Sequence, residues 1–199
     1  GWIAYEAGYA MEDRLHPLMP EEAGPLLVLG LYDAPQPAGA LLAQAEVEAE
    51  GASLAPIRPL VGRAGHEAAV HRVLDYIAAG DCYQINLTIP LASHLQSGTA
   101  LGLYGALRQR QAVGFGAFAD MGVGPVLISR SPELFFRIEG ERIESRQMKG
   151  TRPRHADPAE DARVAMELRA SVKDRAENLM IVDLLRNDIS RIAQLGSVK

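Results

Sequence analysis

The segment from Ser131 to Asp188 constrains the fold more than any other stretch of the chain. It opens SPELFFRIEGERIESRQMKGTRPR and closes DRAENLMIVDLLRND. Leu134–Ile138 and Arg142–Met148 flank Glu139-Gly140, which predicts a β-hairpin. Asp157-Pro158-Ala159-Glu160 then supplies an N-capping Asp, a Pro at the first helical position and an acid three residues on from the cap, a strong helix start. A last helix is predicted from about Val172 to Arg186. Hairpin-linked strands mixed with amphipathic helices imply an α+β protein, a mainly antiparallel sheet packed with helices. The regular strand–helix alternation and glycine fingerprint of a dinucleotide fold are missing.

Upstream, the pattern is weaker. Gly1–Ala10 alternates aromatic and small residues and reads as a strand, as does the apolar Pro25–Tyr32. Ala45–Ala52, AEVEAEGA, reads as an exposed edge strand. Ala55–Gly65 carries two prolines and two glycines and is taken as a linker, dividing the chain into residues 1–60 and 61–199. Past it, Val70, Val73, Leu74 and Ile77 recur at helical spacing, and Gly80 stands where a C-cap glycine belongs. Cys82–Ile89 alternates strictly. Tyr83, Ile85, Leu87 and Ile89 are predicted on one face of a strand and Gln84, Asn86 and Thr88 on the other, either lining a polar pocket or simply facing water. A helix over Leu101–Leu107 and strands at Gly114–Met121 and Pro125–Ser129 complete the prediction.

Composition narrows the class. Hydrophobic residues make up 48% of the 199 and charged residues 23%, ordinary for a globular protein. The net charge of −5 lacks the basic excess of a nucleic-acid binder. No apolar run is long enough to cross a bilayer, and no signal-peptide pattern opens the chain, so a cytoplasmic enzyme is expected. Cys82 is the single cysteine, which excludes an internal disulfide and a multi-cysteine metal site. The five histidines show no metal-ligand spacing.

Three residues of the Ser131–Asp188 segment have neighbourhoods that do not need a charge for solubility. Lys149 follows the hairpin in QMKGTRPR. Gly150 and Thr151 free the backbone to approach a ligand, and the cationic Arg152 and Arg154 would favour the neutral, nucleophilic amine. A solvated loop lysine is the commoner fate of such a residue. Glu133 precedes Leu134-Phe135-Phe136, apolar bulk that suits a general acid, although an exposed strand-end acid fits the local sequence as well. Glu177 has Met180, Ile181 and Leu184 as helical neighbours. A carboxylate on such a face suits Mg²⁺, which takes one or two protein carboxylates plus substrate oxygens. The mundane alternative is an ion pair with Lys173, one turn earlier.

Taken together, GDCYQINLT, SPELFFRIEGERIESRQMKGTRPR and DRAENLMIVDLLRND resemble three successive signature blocks of the chorismate-utilising enzymes, in family order and spacing. The likeness covers about His66 to Lys199, and GWIAYEAGY is similar to the end of the family's N-terminal domain. Gln147-Met148 departs from the usual Pro-Ile. The resemblance implies the anthranilate synthase component I-like fold, here incomplete, with 1–60 closing an N-terminal domain and 61–199 opening the catalytic one. It implies Lys149 as nucleophile, Glu133 as acid, Gly150 and Thr151 beside the substrate carboxylate, and Glu177 as one Mg²⁺ ligand. Gln84 with Lys149 resembles members that aminate chorismate to 4-amino-4-deoxychorismate, using ammonia from a glutamine amidotransferase partner. Members that form anthranilate, and non-catalytic tryptophan-binding or docking subunits on the same fold, are the alternatives. Further metal glutamates and a carboxylate-binding arginine are expected beyond Lys199. Residues 1–199 alone are therefore expected to be catalytically silent and poorly soluble.

Overall fold

The computed structural model describes all residues from Gly1 to Lys199. Its elements, in order, are β1 (Trp2–Ile3), α1 (Ala7–Met11), β2 (Leu27–Val28), α2 (Gly39–Ala49), β3 (Ser53–Leu54), β4 (Arg58–Pro59), α3 (Arg63–Ala79), β5 (Leu91–Ala92), β6 (Leu95–Ser97), α4 (Ala100–Arg110), β7 (Phe115–Ala119), β8 (Leu127–Ser131), β9 (Leu134–Glu139), β10 (Arg142–Arg146), α5 (Pro158–Ala170) and α6 (Val172–Ser190). The class is α+β. The strands pair in twos: β1–β2, β3–β6, β4–β5 and β9–β10 are antiparallel, and β7–β8 form a fifth ladder. No helix is long and apolar enough to cross a membrane.

By its contacts the chain divides into two units, Gly1–Ala112 with Phe118–Ile128, and Val113–Ala117 with Ser129–Lys199. The first is organised by α2 and α4. Ala45 and Ala49, one helical turn apart, are buried, Ala45 completely. Opposite them, the missing side chains of Gly102 and Gly105 let the backbones approach. A Cβ on Gly102 would lie 2.6 Å from the Glu48 carbonyl oxygen, and one on Gly105 would overlap that of Ala45. Polar contacts frame this seam. Arg108 pairs with Glu46 at 2.6 Å, and the Thr99 hydroxyl donates to the Glu48 carboxylate while accepting the Gly102 N–H as helix N-cap. That hydroxyl, seconded by Gln44, holds the Glu48 carboxyl below its usual range. Tyr104 packs its ring against Phe118 with centroids 5.9 Å apart.

Helix α2 corrects the edge strand expected at Ala45–Ala52. AEVEAE alternates, but Ala and Glu are strong helix formers, and the i, i+4 pair Ala45/Ala49 buries only in a helix. Gly1–Ala10 likewise forms two strand residues and then α1, and Pro25–Tyr32 contracts to β2. The proposed linker contains β4 and the start of α3. Cys82–Ile89, predicted as a strand, joins no ladder, and Tyr83, Ile85, Leu87 and Ile89 are all exposed. Alternation supplies a face; a strand also needs a partner for its N–H and C=O groups. Helix α3 ends at Gly80, whose φ of 81° is the left-handed cap geometry that glycine adopts without strain.

The second unit contains the hairpin of β9 and β10 and the consecutive helices α5 and α6. Glu139 pairs with Arg142, and Gly140 turns the chain at φ 59°. Asp157 caps α5 by accepting the Ala159 N–H at 3.2 Å, and Ser171 caps α6 by accepting that of Asp174 at 3.3 Å. Val164 is its only buried apolar residue, and α6 buries none. The chain exposes 15861 Å², against roughly 9,000–11,000 Å² from area scaling for this mass folded as one domain or two.

Candidate active site

The site residues are delivered by three pieces of the second unit: the Ser131-Pro132-Glu133 turn entering β9, the strap Gln147–His155 leaving β10, and the first turns of α6. At the turn, the Ser131 hydroxyl donates to the Glu133 carbonyl at 3.1 Å and accepts the Glu133 N–H at 3.3 Å. The Glu133 carboxylate accepts the backbone N–H of Met148 at 2.8 Å. One expected carboxylate therefore holds the residue next to Lys149. The apolar shelter expected around it does not form, since Glu133 is exposed and Phe135 and Phe136 are 79% and 52% exposed.

Lys149 lies with its Nζ 3.8 Å from Glu177 Oε1, both side chains largely covered at 25% and 31% exposure. These residues sit 28 positions apart, and the structure brings them together. Glu177 thus faces Lys149, where the sequence offered Lys173 as its ion-pair partner. The cations expected around Lys149 are engaged elsewhere. Arg152 donates from Nη2 to Asp174 Oδ2 at 2.9 Å and from Nη1 to the Thr151 carbonyl at 2.9 Å. Arg154 grips Asp161 through two nitrogens, at 2.8 Å each. That guanidinium, aided by the His155 N–H, lowers the Asp161 carboxyl to about 2. The Asp174 carboxyl is also held low, first by its bond with Ser171 and then by Arg152.

Between these anchors, Gly150 adopts φ +74°, and a Cβ there would come within 2.8 Å of Leu168 Cδ1 and 2.9 Å of Asp174 Cγ. Only glycine fits both the backbone conformation and the space. The strap is therefore pressed onto the elbow between α5 and α6. Beside it opens a groove of about 740 Å³ lined by Lys149, Leu168, Arg169, Val172, Asp174, Arg175, Ala176, Asn178, Leu179 and Val182. Thr151 is exposed on the strap next to Gly150. The lining combines three cations with one acid and several apolar side chains, a mixture that suits a small organic anion. Asp174 is the residue that sequence reasoning missed. Its signal was present only as the position three residues after Ser171 at the start of a helix.

No three or more His, Cys, Asp or Glu side chains gather as a metal site. Glu177 supplies one carboxylate, and that carboxylate faces an ammonium. The residues of this chain do not by themselves fit a complete Mg²⁺ shell.

The model of the chorismate binding enzyme family matches residues 1–199, and the chain belongs to that family. It is 46% identical over 128 residues to aminodeoxychorismate synthase component 1 of Escherichia coli K12, covering 64% of this chain and 28% of that protein. It is 43% identical over 130 residues to anthranilate synthase component 1 of Streptomyces coelicolor, covering 65% of this chain and 25% of the relative. To the aminodeoxychorismate synthase of Streptomyces griseus it is 43% identical over 152 residues, 76% of this chain and 21% of that protein. The chain thus spans between a fifth and three tenths of the length of these relatives. No solved structure matches.

Proposed function

We propose that this chain carries part of the active site of an enzyme that aminates chorismate to 4-amino-4-deoxychorismate. The observation that supports the reading is the meeting of Lys149 with Glu177 beside an open groove, on the strap where the resemblance to the aminating members lies. In this reading the Lys149 amine attacks C2 of the chorismate ring, and the C4 hydroxyl leaves as water with a proton from Glu133. Ammonia from a glutamine amidotransferase partner then adds at C4 as the C2–nitrogen bond to Lys149 breaks; the lysine amine is regenerated, and the new C4 nitrogen returns a proton to Glu133. Gly150 and Thr151 lie beside the ring carboxylate. Mg²⁺ would take Glu177 as one ligand and, bound there, would neutralise the ring carboxylate.

The test uses the full-length protein with chorismate, ammonium and Mg²⁺. The expected product is 4-amino-4-deoxychorismate, detected by mass, together with a covalent adduct on Lys149 after a chemical quench. Lys149→Ala should abolish both. Fluorescent anthranilate as the product would replace this reading with that of an anthranilate synthase component 1. A substrate adduct mapped to another lysine would remove Lys149 as the nucleophile. Binding of tryptophan or an amidotransferase without chorismate turnover would favour a docking subunit.

A further inference from the structure

The strap that carries Lys149 is not held by burial. Thr151, Arg152 and Arg154 are exposed, and the residue that fixes the strap's path, Gly150, has no side chain. Polar contacts hold it, and the one that meets both Arg152 and Gly150 is an acid on the first turn of α6. Asp174 receives the Arg152 guanidinium at 2.9 Å on Oδ2, and its Cγ and Oδ1 lie 2.9 and 3.0 Å from where a Gly150 Cβ would stand. Asp174 is itself locked in place. Its N–H donates to Ser171 Oγ at 3.3 Å, so the carboxylate leaves the helix at a capped, rigid turn. Its side chain is 14% exposed, the most covered of any ion-paired acid in the chain. Glu177 is one turn further along the same helix, so a single rigid element presents Asp174 to the strap and Glu177 to the Lys149 amine.

We infer, resting on the reading of Lys149 as nucleophile, that Asp174 is a positioning residue: by clamping Arg152 and Gly150 it fixes the strap, and with it the place of the Lys149 amine. It lines the groove, and its effect on the amine runs through Arg152 and Gly150. Losing it loosens the strap beside Lys149 and lets the amine wander from its attack position, an error of a kind that costs about a hundredfold for a misplacement of about 1 Å.

The decisive measurement does not need substrate. Full-length protein is treated briefly with an amine-acylating reagent, and modification of each lysine is followed by peptide mass spectrometry. Lys149 is partly covered in the parent protein, whereas Lys199, exposed and 25 positions from Asp174, serves as internal reference. Asp174→Ala should raise Lys149 acylation several-fold and leave Lys199 unchanged. Arg152→Ala should do the same, and the double variant should add nothing further, because the two side chains form one clamp. Asp174→Glu should restore most of the protection. In turnover, Asp174→Ala should lower kcat ten- to a hundredfold with a smaller change in KM. Unchanged Lys149 acylation in Asp174→Ala overturns the inference, as does equal deprotection of Lys149 and Lys199. If Asp174→Ala does not fold, Arg152→Ala decides the matter by the same readouts. Selective deprotection in a protein that turns over no chorismate would leave the clamp standing and overturn the proposed function.

Discussion

The α2–α4 seam and the strap over the α5–α6 elbow solve the same problem by opposite physics. Each brings a glycine against a neighbouring element, Gly105 against Ala45 and Gly150 against Leu168 and Asp174. The seam closes by volume. Its buried residues are mostly alanine and glycine, its backbones nearly touch, and its ion pair lies at the margin. The strap closes by charge, through Arg152–Asp174, Arg154–Asp161 and Lys149–Glu177, over a helix that buries no residue. Scaffold and site should therefore answer to different perturbations: the first to added methyl groups, the second to acid, salt and charge deletion.

The largest expected effect lies in the seam. Gly105→Val should destabilise the full-length protein by about 3 kcal/mol, since overpacking at a closed backbone contact has no free space to relax into. Denaturant unfolding reads this directly, and an unshifted midpoint would show that the helices do not meet as described. Next is Gly150→Ala, which combines the left-handed backbone with a clash against Asp174. A cost of about 1–3 kcal/mol is expected, expressed as faster proteolysis of the strap before any global unfolding. Resistance equal to the parent would deny the glycine its special role.

Thr99→Ala should cost about 1 kcal/mol, because the hydroxyl is both the cap of α4 and the donor to Glu48. A change below a few tenths would mean that water replaces it. The smallest effect is specific to the strap. Arg154 holds Asp161 at about 2, down from 3.8, so the pairing stabilises the folded strap above roughly pH 4 and is lost as the pH falls towards 2. Proton NMR of the His155 N–H, which donates to Asp161 at 3.0 Å, should track that loss. Asp161→Asn should remove the acid transition, and a transition that survives in Asp161→Asn would assign it to another group.

The local parts of this structure were legible in the sequence. Caps and turns act within a few residues, so α5 at Asp157, α3 ending at Gly80 and the hairpin around Glu139-Gly140 could be read directly. Segments whose state depends on distant partners were not. Ala45–Ala52 reads as a strand until Gly102 and Gly105 are known to lie against it, and Cys82–Ile89 has the alternation of a strand with no ladder to join. The candidate site divides the same way. Residue types and block order pointed to Glu133, Lys149 and Glu177. Only the structure shows Glu133 bonding to Met148, Lys149 facing Glu177, and both arginines committed to aspartates.

The small-residue seam also has a consequence in time. Ala45 and Gly105 are separated by 60 residues of chain, and α3 lies wholly inside the loop that their contact closes. Closing so long a loop carries an entropic barrier before any packing rewards it. Along the strap, Lys149 and Glu177 close a loop of 28 residues, and Arg154 and Asp161 one of 7. The expected order of assembly inverts the order of strength, with the elbow and strap gathering first and loosely, and the seam later and for good. Pulse-labelled amide exchange during refolding should find α5 and α6 partly protected before α2 and α4, and simultaneous protection of both pairs would refute that order.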